Sequence, residues 1–452
     1  MEKEKLSDIR DAVLDMLEER KFKELKEQLE KMHPVDVAEM MEDFEDKQMI
    51  LVFRLQAKDE AAQTFTEMTS DMREVLLNAL TDSEIKEVMD EMYLDDAVDV
   101  MEEMPANVVD RLLLATDEET RKQINMLLNY PEDSAGSIMN VEYIAFSKDM
   151  TVEEAILRIR QVGLNRETIY TCYVLENRKL IGAVSLKDLL TTGDNRRIEE
   201  IMETNMLYVH TLDDQEEVAS MISKYNLIAI PVVDNDMRMV GIVTVDDAMD
   251  VLEEETTEDM SRMVGISPNE DSYFETSIWE HAKSRIPWLL FLMLSATLSG
   301  LALGRFEYAL AAMPILNTFV PMLTGTGGNC GSQSSTLIIR GLATDEVEFK
   351  DIFKVIFKEV RVAVLVGIML AIVNGVRIML MYNGNWMLAI TLGITLVCTV
   401  GLAKIIGCAL PLVAEKFGLD PALMAAPLIT TLVDTGTILL YFTIATHMFG
   451  IQ

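Results

Sequence analysis

The stretch Gly325-Thr326-Gly327-Gly328-Asn329-Cys330-Gly331-Ser332-Gln333 decides how the last third of this 452-residue chain is read, because it sets glycine, hydroxyl and amide groups inside an otherwise apolar run. A second such place is Thr430-Thr431-Leu432-Val433-Asp434-Thr435-Gly436, where Asp434 is the one acidic residue within the apolar spans delimited below. A carboxylate at that depth is costly, so by default it faces a water-filled path or a cation rather than lipid. Within the spans only Lys404 and Arg377 could neutralise it, and a salt bridge to Lys404 is the structural alternative to a polar path.

The apolar spans run from about Ile286 to Gly304, Ala309 to Ile339, Val362 to Met381, Trp386 to Val413 and Ala422 to His447. A bilayer core takes roughly 20 apolar residues per helix, so five crossings are expected. The second span is too long and too polar for one plain helix. With Pro314, Pro321 and the glycine run in it, a broken helix is predicted, which membranes tolerate where it lines a cavity. The opposing reading of the glycines is close helix packing. The run also lacks the Gly-Lys-Ser/Thr ending of a phosphate loop. Arg340, Lys350, Lys354, Lys358 and Arg361 fall in the loop after the second span and Arg285 lies just before the first. The positive-inside rule makes both places cytoplasmic and puts the C-terminus outside.

Half the residues are hydrophobic, yet the formal net charge is −36. The two properties separate along the chain: from Arg285 onward there are 9 acidic and 10 basic residues, leaving 66 acids and 29 bases before it. An acidic soluble body therefore precedes a membrane domain, and no nucleic-acid partner is expected for it. Solubility is the default purpose of such charge. The length suggests about three units. Met1-Glu2-Lys3-Glu4-Lys5 leads straight into charged amphipathic helix, so no cleavable signal peptide is expected and the soluble part is expected in the cytoplasm. Cys172, Cys330, Cys398 and Cys408 have no CxxC spacing, which argues against a zinc site or a disulfide framework.

Residues 1–130 alternate helix-period segments with short breaks and carry almost no strand pattern. His33-Pro34-Val35-Asp36-Val37-Ala38-Glu39-Met40-Met41 echoes Tyr93-Leu94-Asp95-Asp96-Ala97-Val98-Asp99-Val100-Met101, which predicts stacked helical hairpins of solenoid type. The methionines read as core filler and His33 as the residue before a helix, not as metal ligands. At Tyr130-Pro131-Glu132-Asp133-Ser134-Ala135-Gly136 the pattern changes, and residues 131–258 contain a duplication. Tyr173 to Asp188 recurs as Pro231 to Asp247, with Gly182 matching Gly241. Each copy reads as strand, polar turn, strand and Ser/Thr-x-x-Asp opening a helix, and each follows a helix with an acidic pair, Glu153-Glu154 or Glu216-Glu217.

This duplication resembles a tandem CBS-domain pair, whose copies pack through their sheets around a pseudo-twofold cleft. Many such pairs hold adenine nucleotides. The resemblance nominates Asp188, with Tyr170 and Lys187 near it, for a ribose or ATP site, and Asp247 less strongly; plain helix N-caps are the alternative. Residues 259–284 read as a connecting helix ahead of the membrane domain, 285–452.

The glycine run with Ser334-Ser335, the segment Gly418-Leu419-Asp420-Pro421-Ala422-Leu423-Met424-Ala425-Ala426-Pro427-Leu428 and Thr431-Leu432-Val433-Asp434 together resemble the MgtE magnesium channel and transporter family. So does the order of parts. The resemblance implies a multidomain membrane protein: an all-α superhelical N-domain, an α/β CBS pair, a connecting plug helix and an all-α five-helix transmembrane domain. It implies a homodimer in the lipid of a bacterial inner membrane, with Mg2+ both transported and regulatory and with no catalysis.

Magnesium prefers six oxygens and sheds water reluctantly, so a pore needs few direct ligands. Asp434 would supply one carboxylate per subunit, with Gly327, Asn329, Thr430 and Thr435 as wall. In the family, cytosolic Mg2+ between acidic faces holds the pore shut; the matching positions are Asp95, Asp99, Asp214, Glu216, Asp247, Asp250, Glu255, Glu258, Asp259 and Asp420. For each acid taken singly, a solvated helix face is the competing reading. One departure is Asn226, where an aspartate is expected and a sensor site would lose a charge. The rivals are passage of Co2+ or Mn2+, coupling to a counter-ion, or a nucleotide sensor merely anchored in the membrane.

Overall fold

In the computed structural model the described residues are 3–102, 104–268, 273, 276–344, 346–424 and 426–451. The chain divides into two compact units, Met1–Leu252 and Glu253–Gln452.

The first unit opens with ten helices: α1 Lys3–Glu18, α2 Phe22–Leu29, α3 Pro34–Met41, α4 Asp46–Leu55, α5 Lys58–Thr66, α6 Ser70–Ala79, α7 Asp82–Met89, α8 Leu94–Glu102, α9 Ala106–Ala115 and α10 Glu118–Leu127. Most have only 8 to 10 residues, too few to stand alone in water, so stacking must hold them. Helices α1, α3, α5, α7 and α9 pack in succession, with α4 on α6 and α8 on α10, which is the solenoid expected from the sequence. Local chemistry fixes the breaks. Thr81 accepts from the Glu84 amide while Glu84 reaches back to Thr81, and Asp117 caps α10 through the amides of Glu119 and Thr120. His33 is the extended residue before Pro34 at the first turn of α3. The two echoing segments open α3 and α8, which lie in different rows of the stack. Met40, Met41, Met49, Met68, Met89 and Met101 are buried with Val52, Phe65, Leu76 and Leu112, so the methionines fill the core.

The duplicated region forms two three-stranded sheets. In the first, β1 (Ala145–Phe146) runs parallel to β2 (Thr171–Glu176), which pairs antiparallel with β3 (Lys179–Ser185); α11 (Val152–Val162) joins β1 to β2, and α12 (Leu186–Thr191) follows β3. The second repeats the plan with β4 (Val209–His210), α13 (Gln215–Tyr225), β5 (Ala229–Val233), β6 (Met239–Thr244) and α14 (Val245–Met263). Matching glycines pair at matching places, Val174 with Gly182 and Val232 with Gly241, and a register shift follows in each copy. A Cβ at Gly241 would lie 2.8 Å from the Asn140 carbonyl oxygen, so the repeated glycine admits a neighbouring backbone. The copies meet through Tyr173, Leu180, Val233, Met239 and Ile242.

Helix α14 starts at Val245 and ends at Met263, so the segment expected to open a connecting helix at residue 259 is its last turn. The chain then turns at Gly265, whose φ of +74° and whose contact with Trp288 both require glycine: a Cβ would fall 1.9 Å from Trp288 Cδ1. Helix resumes at α15 (Ile278–Gly304), which already contains Lys283.

The rest of the second unit is α16 (Glu307–Ala312), a 3₁₀ turn at Pro314–Phe319, α17 (Val320–Ala343), α18 (Ile352–Met381), α19 (Trp386–Lys416) and α20 (Ala426–Phe449). Four described helices, within α15, α18, α19 and α20, are long and apolar enough to cross a membrane; α17 falls short because of its glycine and hydroxyl residues. The predicted break in the second span lies at Met313–Phe319. The glycine run itself is unbroken helix, packed on α19 and α20, with Thr324 and Thr326 donating to carbonyls four residues back. The basic residues Lys354, Lys358 and Arg361, expected in a loop, are on the first turns of α18. Phe306, Leu316, Phe319, Leu392, Tyr441 and Phe442 form the main core at one end, where the Tyr441 hydroxyl donates to the Leu316 carbonyl at 2.9 Å. All four cysteines are free: Cys172, Cys330 and Cys408 are buried, and Cys398 is exposed.

Candidate ion path and acidic clusters

Glycines let α17 and α20 approach until little lies between their backbones. A Cβ at Gly327 would meet Thr399, Val433 and Thr437 at 2.8 to 3.2 Å, and one at Gly331 would lie 2.6 Å from Ile429. At Gly328 it would lie 3.0 Å from Thr430 Cγ2 and 4.0 Å from Asp434 Oδ1. The glycine run and the aspartate, 106 residues apart in sequence, are thus one place in the fold. Asp434 is half-buried, and no described residue hydrogen-bonds to it or pairs with it.

Both cations that could have neutralised it are engaged elsewhere. Arg377 Nη2 lies 2.9 Å from Met322 Sδ. Lys404 Nζ is 3.1 Å from Glu359 Oε2, a partly buried acid on α18, so Asp434 is not the only carboxylate among the membrane helices. Of the other expected wall residues, Thr430 sits against Gly328, Asn329 is exposed, and Thr435 shares a 2.9 Å hydrogen bond with Ser299 of α15. The buried hydroxyls of Thr399 and Thr437, both against Gly327, have no hydrogen-bond partner among the described residues, which lines the same crossing with polar atoms.

In the first unit, Asp95 at the start of α8 is buried, and its Oδ2 accepts from Asn140 Nδ2 at 2.8 Å. The same nitrogen reaches Glu167 Oε2 at 3.2 Å, while Asp95 Oδ1 has no hydrogen-bond partner among the described residues. Burial, then Asp247, Asp96 and Glu167, hold the Asp95 carboxyl well above the usual carboxylate range. Burial first and neighbouring acids second push Asp96 to about 6 and Glu167 to about 7, and burial lifts Asp247 and Glu142 as well. Asp247 accepts from the Thr244 amide at 3.2 Å and hydroxyl at 2.5 Å, and Asp250 lies within its field. Asp99 is on the same helix as Asp95. Asp214 caps α13 through the Glu216 amide, so these two acids begin a separate helix. Asn226 ends that helix in the left-handed region, φ 53° and ψ 46°, which asparagine adopts readily.

In the second unit, Glu255, Glu258 and Asp259 lie along the last turns of α14. Arg262 bonds Asp420 Oδ2 at 2.6 Å and also pairs with Glu258, so an internal cation already bridges two of the expected ligands. Burial and then Asp420 raise the Asp259 carboxyl. Among the described residues no group of three or more His, Cys, Asp or Glu side chains is arranged to hold a metal ion.

At the first copy of the duplicated region, Tyr170 is 60 % exposed, its carbonyl accepts from the Leu186 amide, and Lys187 and Asp188 are exposed one and two residues after Leu186. Asp188 accepts from the Ser185 hydroxyl at 2.6 Å, so it also closes a helix N-cap. The expected nucleotide residues are therefore together at one edge.

Sequence reading missed Asp96, Asn140, Glu142, Glu167, Arg262 and Glu359. Asp96 was within reach, adjacent to Asp95. Glu167 and Asn140 sit in linking segments with no period to betray burial, and Glu359 sat in a charged stretch assigned to a loop.

Three family models match the chain: "Divalent cation transporter" over residues 320–444, "MgtE intracellular N domain" over 32–133, and "CBS domain" over 135–193 and 198–254. The chain is 35% identical to the magnesium transporter MgtE of Thermus thermophilus, covering 96% of this chain and 97% of that one. It is 31% identical to the protein of the same name from Bacillus subtilis, covering 96% of each. Among solved structures, the cytosolic domain of the Mg2+ channel MgtE in complex with ATP aligns with a TM-score of 0.52 at 35% identity, over 54% of this chain and 99% of that one. The soluble part of a magnesium transporter aligns with a TM-score of 0.52 at 29% identity, over 55% and 99%.

Proposed function

The chain belongs to the MgtE family of magnesium transporters, and we propose that it passes Mg2+ through its own membrane unit at the crossing of α17 and α20, with Asp434 as the ion-facing carboxylate. The observation that carries the reading is the Asp434 carboxylate itself: half-buried, against Gly328, and paired with no described residue while Lys404 and Arg377 are committed elsewhere. One carboxylate per chain, doubled in a homodimer, suits an ion that enters largely hydrated. Passage is downhill and channel-like, and no reaction is catalysed.

The acidic clusters are the regulatory part of the proposal. Two carboxylates about 6 Å apart repel by roughly 3 kcal/mol at an effective dielectric of 20. Burial and mutual repulsion raise the Asp95, Asp96, Glu167 and Asp247 carboxyls, so Mg2+ bound among them would favour their ionised form and displace whatever protons they hold. Moving a gate from 1:99 to 99:1 takes about 5.5 kcal/mol of differential binding, within reach of a few weak sites. Magnesium at millimolar concentration in the cytoplasm would then favour the closed form. The N-terminus is cytoplasmic in this scheme and the C-terminus extracytoplasmic. At the CBS edge, an aromatic ring, an ammonium and a carboxylate fit adenine, phosphate and ribose, so Tyr170, Lys187 and Asp188 are proposed to hold ATP, which isothermal titration of the soluble part would register.

Flux into vesicles carrying the purified protein tests the whole reading. Entry of Mg2+ driven by its own gradient, and weaker entry of Ca2+, are expected. Flux that stops when the proton and sodium gradients are collapsed would make the protein a coupled transporter instead.

A further inference from the structure

We propose that Lys404, Glu359 and Ser334 form a charged clamp that fixes the axial register of α17, making Glu359 and Lys404 positioning residues for cation passage; this rests on the transport reading above. Each comes from a different helix: Ser334 from α17, Glu359 from α18 and Lys404 from α19. Ser334 is fully buried, the Lys404 side chain is 6% exposed and that of Glu359 13%. Lys404 Nζ donates to Ser334 Oγ at 3.0 Å and to Glu359 Oε2 at 3.1 Å, and Ser334 Oγ donates to the same carboxylate oxygen at 2.6 Å. The three groups close a ring of hydrogen bonds.

The clamp sits beside the glycine face that meets Asp434's helix. A Cβ on Gly331, one turn before Ser334, would lie 3.3 Å from the carbonyl oxygen of Ala403, the neighbour of Lys404, and 2.6 Å from Ile429 of α20. A Cβ on Gly407, one turn after Lys404, would lie 2.3 Å from the Gly331 carbonyl oxygen. Bare backbone contacts of this kind have no side chains to key their register. Sliding α17 by one turn, about 5.4 Å, would carry Ser334 off both charges. Buried charges tolerate separation poorly, whereas replacing both by neutral groups is often harmless, so the pair holds a register that glycine contacts alone would leave loose. Glu359 also balances charge near the path. Without it the Lys404 ammonium is left unpaired and repels an approaching divalent cation.

Flux of Mg2+ into vesicles, per protein eluting at the wild-type position in gel filtration, is measured for Glu359→Gln, Lys404→Met and the double variant. Each single variant is expected to lose at least tenfold in maximal flux. Glu359→Gln is also expected to raise the half-saturating Mg2+ concentration several-fold, which Lys404→Met does not do. The double variant is expected to recover to at least threefold above the worse single one. Where Glu359→Gln does not accumulate, Ser334→Ala takes its place and is expected to lose at least threefold. The clamp is overturned if the single variants keep flux within twofold of wild type, if the double gains nothing over the worse single, or if Ser334→Ala is unchanged. Absence of Mg2+ flux in the wild type would sink the transport reading instead, so the two failures are distinct.

Discussion

The chain holds carboxylates in two contrasting ways. At the α17–α20 crossing a single acid stands alone among glycines and hydroxyls. Around α8 several acids crowd one another, with Asn140 as a shared donor between Asp95 and Glu167. The lone acid has no charged partner among the described residues and suits momentary attraction of one cation. The crowded acids store repulsion, and a cation that relieves it stabilises the arrangement it binds. The difference teaches that the residue type does not set the role; the number of like charges within reach does.

The largest effect short of Asp434 itself is expected from backbone contact. Gly407→Val would put side-chain carbon into the Gly331 carbonyl, and backbone cannot swing aside as a side-chain tip can. Overpacking costs about 1–3 kcal/mol, so the thermal midpoint of the purified protein should fall by several degrees and flux by at least tenfold. A variant with wild-type midpoint and flux would show that the crossing is looser than described.

Next comes the crowded cluster. Asp95→Asn combined with Asp247→Asn removes the buried acid and the neighbour that acts most strongly on it. Flux should persist, while its inhibition by millimolar internal Mg2+ should be lost. Limited proteolysis between Glu255 and Lys283 should stop responding to Mg2+. Cleavage in the wild type that ignores Mg2+ would remove the regulatory half of the account.

A smaller effect is expected from pH. Glu167 and Asp96 titrate near 7 and 6 in the folded protein, against about 4 when unfolded. The stability these groups contribute is therefore complete below about pH 4 and is lost as pH rises through about 7. Without Mg2+, the thermal midpoint of the soluble part should fall between pH 5 and pH 8. Added Mg2+ should raise it more at pH 8 than at pH 5. An equal rise at both would mean that binding does not displace these protons.

The smallest concerns Arg262, whose guanidinium competes for Asp420 and Glu258. The pair is partly exposed and worth about 0.5–1 kcal/mol, so Arg262→Gln should lower the Mg2+ concentration protecting the Glu255–Lys283 region by only a few-fold. An upward shift would indicate that the arginine assists the ion.

Much of this was legible in the sequence for physical reasons. Short helices with cap residues every dozen positions announced the solenoid, and a repeated glycine announced the paired sheets. The span lengths announced the membrane helices. What stayed hidden were partners decided by long-range packing. Nothing local shows that Glu359 is partly buried against Lys404 while Lys358 beside it is exposed. Asn140 becomes a hub only because α8 and residue 167 converge on it. The glycine run misled in one respect: it reads as a helix breaker, yet its lost side chains are what allow α17 to stay helical against two neighbours.

The central claim is that the lone acid conducts and the crowded acids regulate. Measuring Mg2+ flux into vesicles for Asp434→Asn, with and without millimolar internal Mg2+, tests it most directly. At least a hundredfold loss of flux under both conditions is predicted, with an unchanged gel-filtration profile. Flux that survives the substitution and still closes on internal Mg2+ would contradict the account.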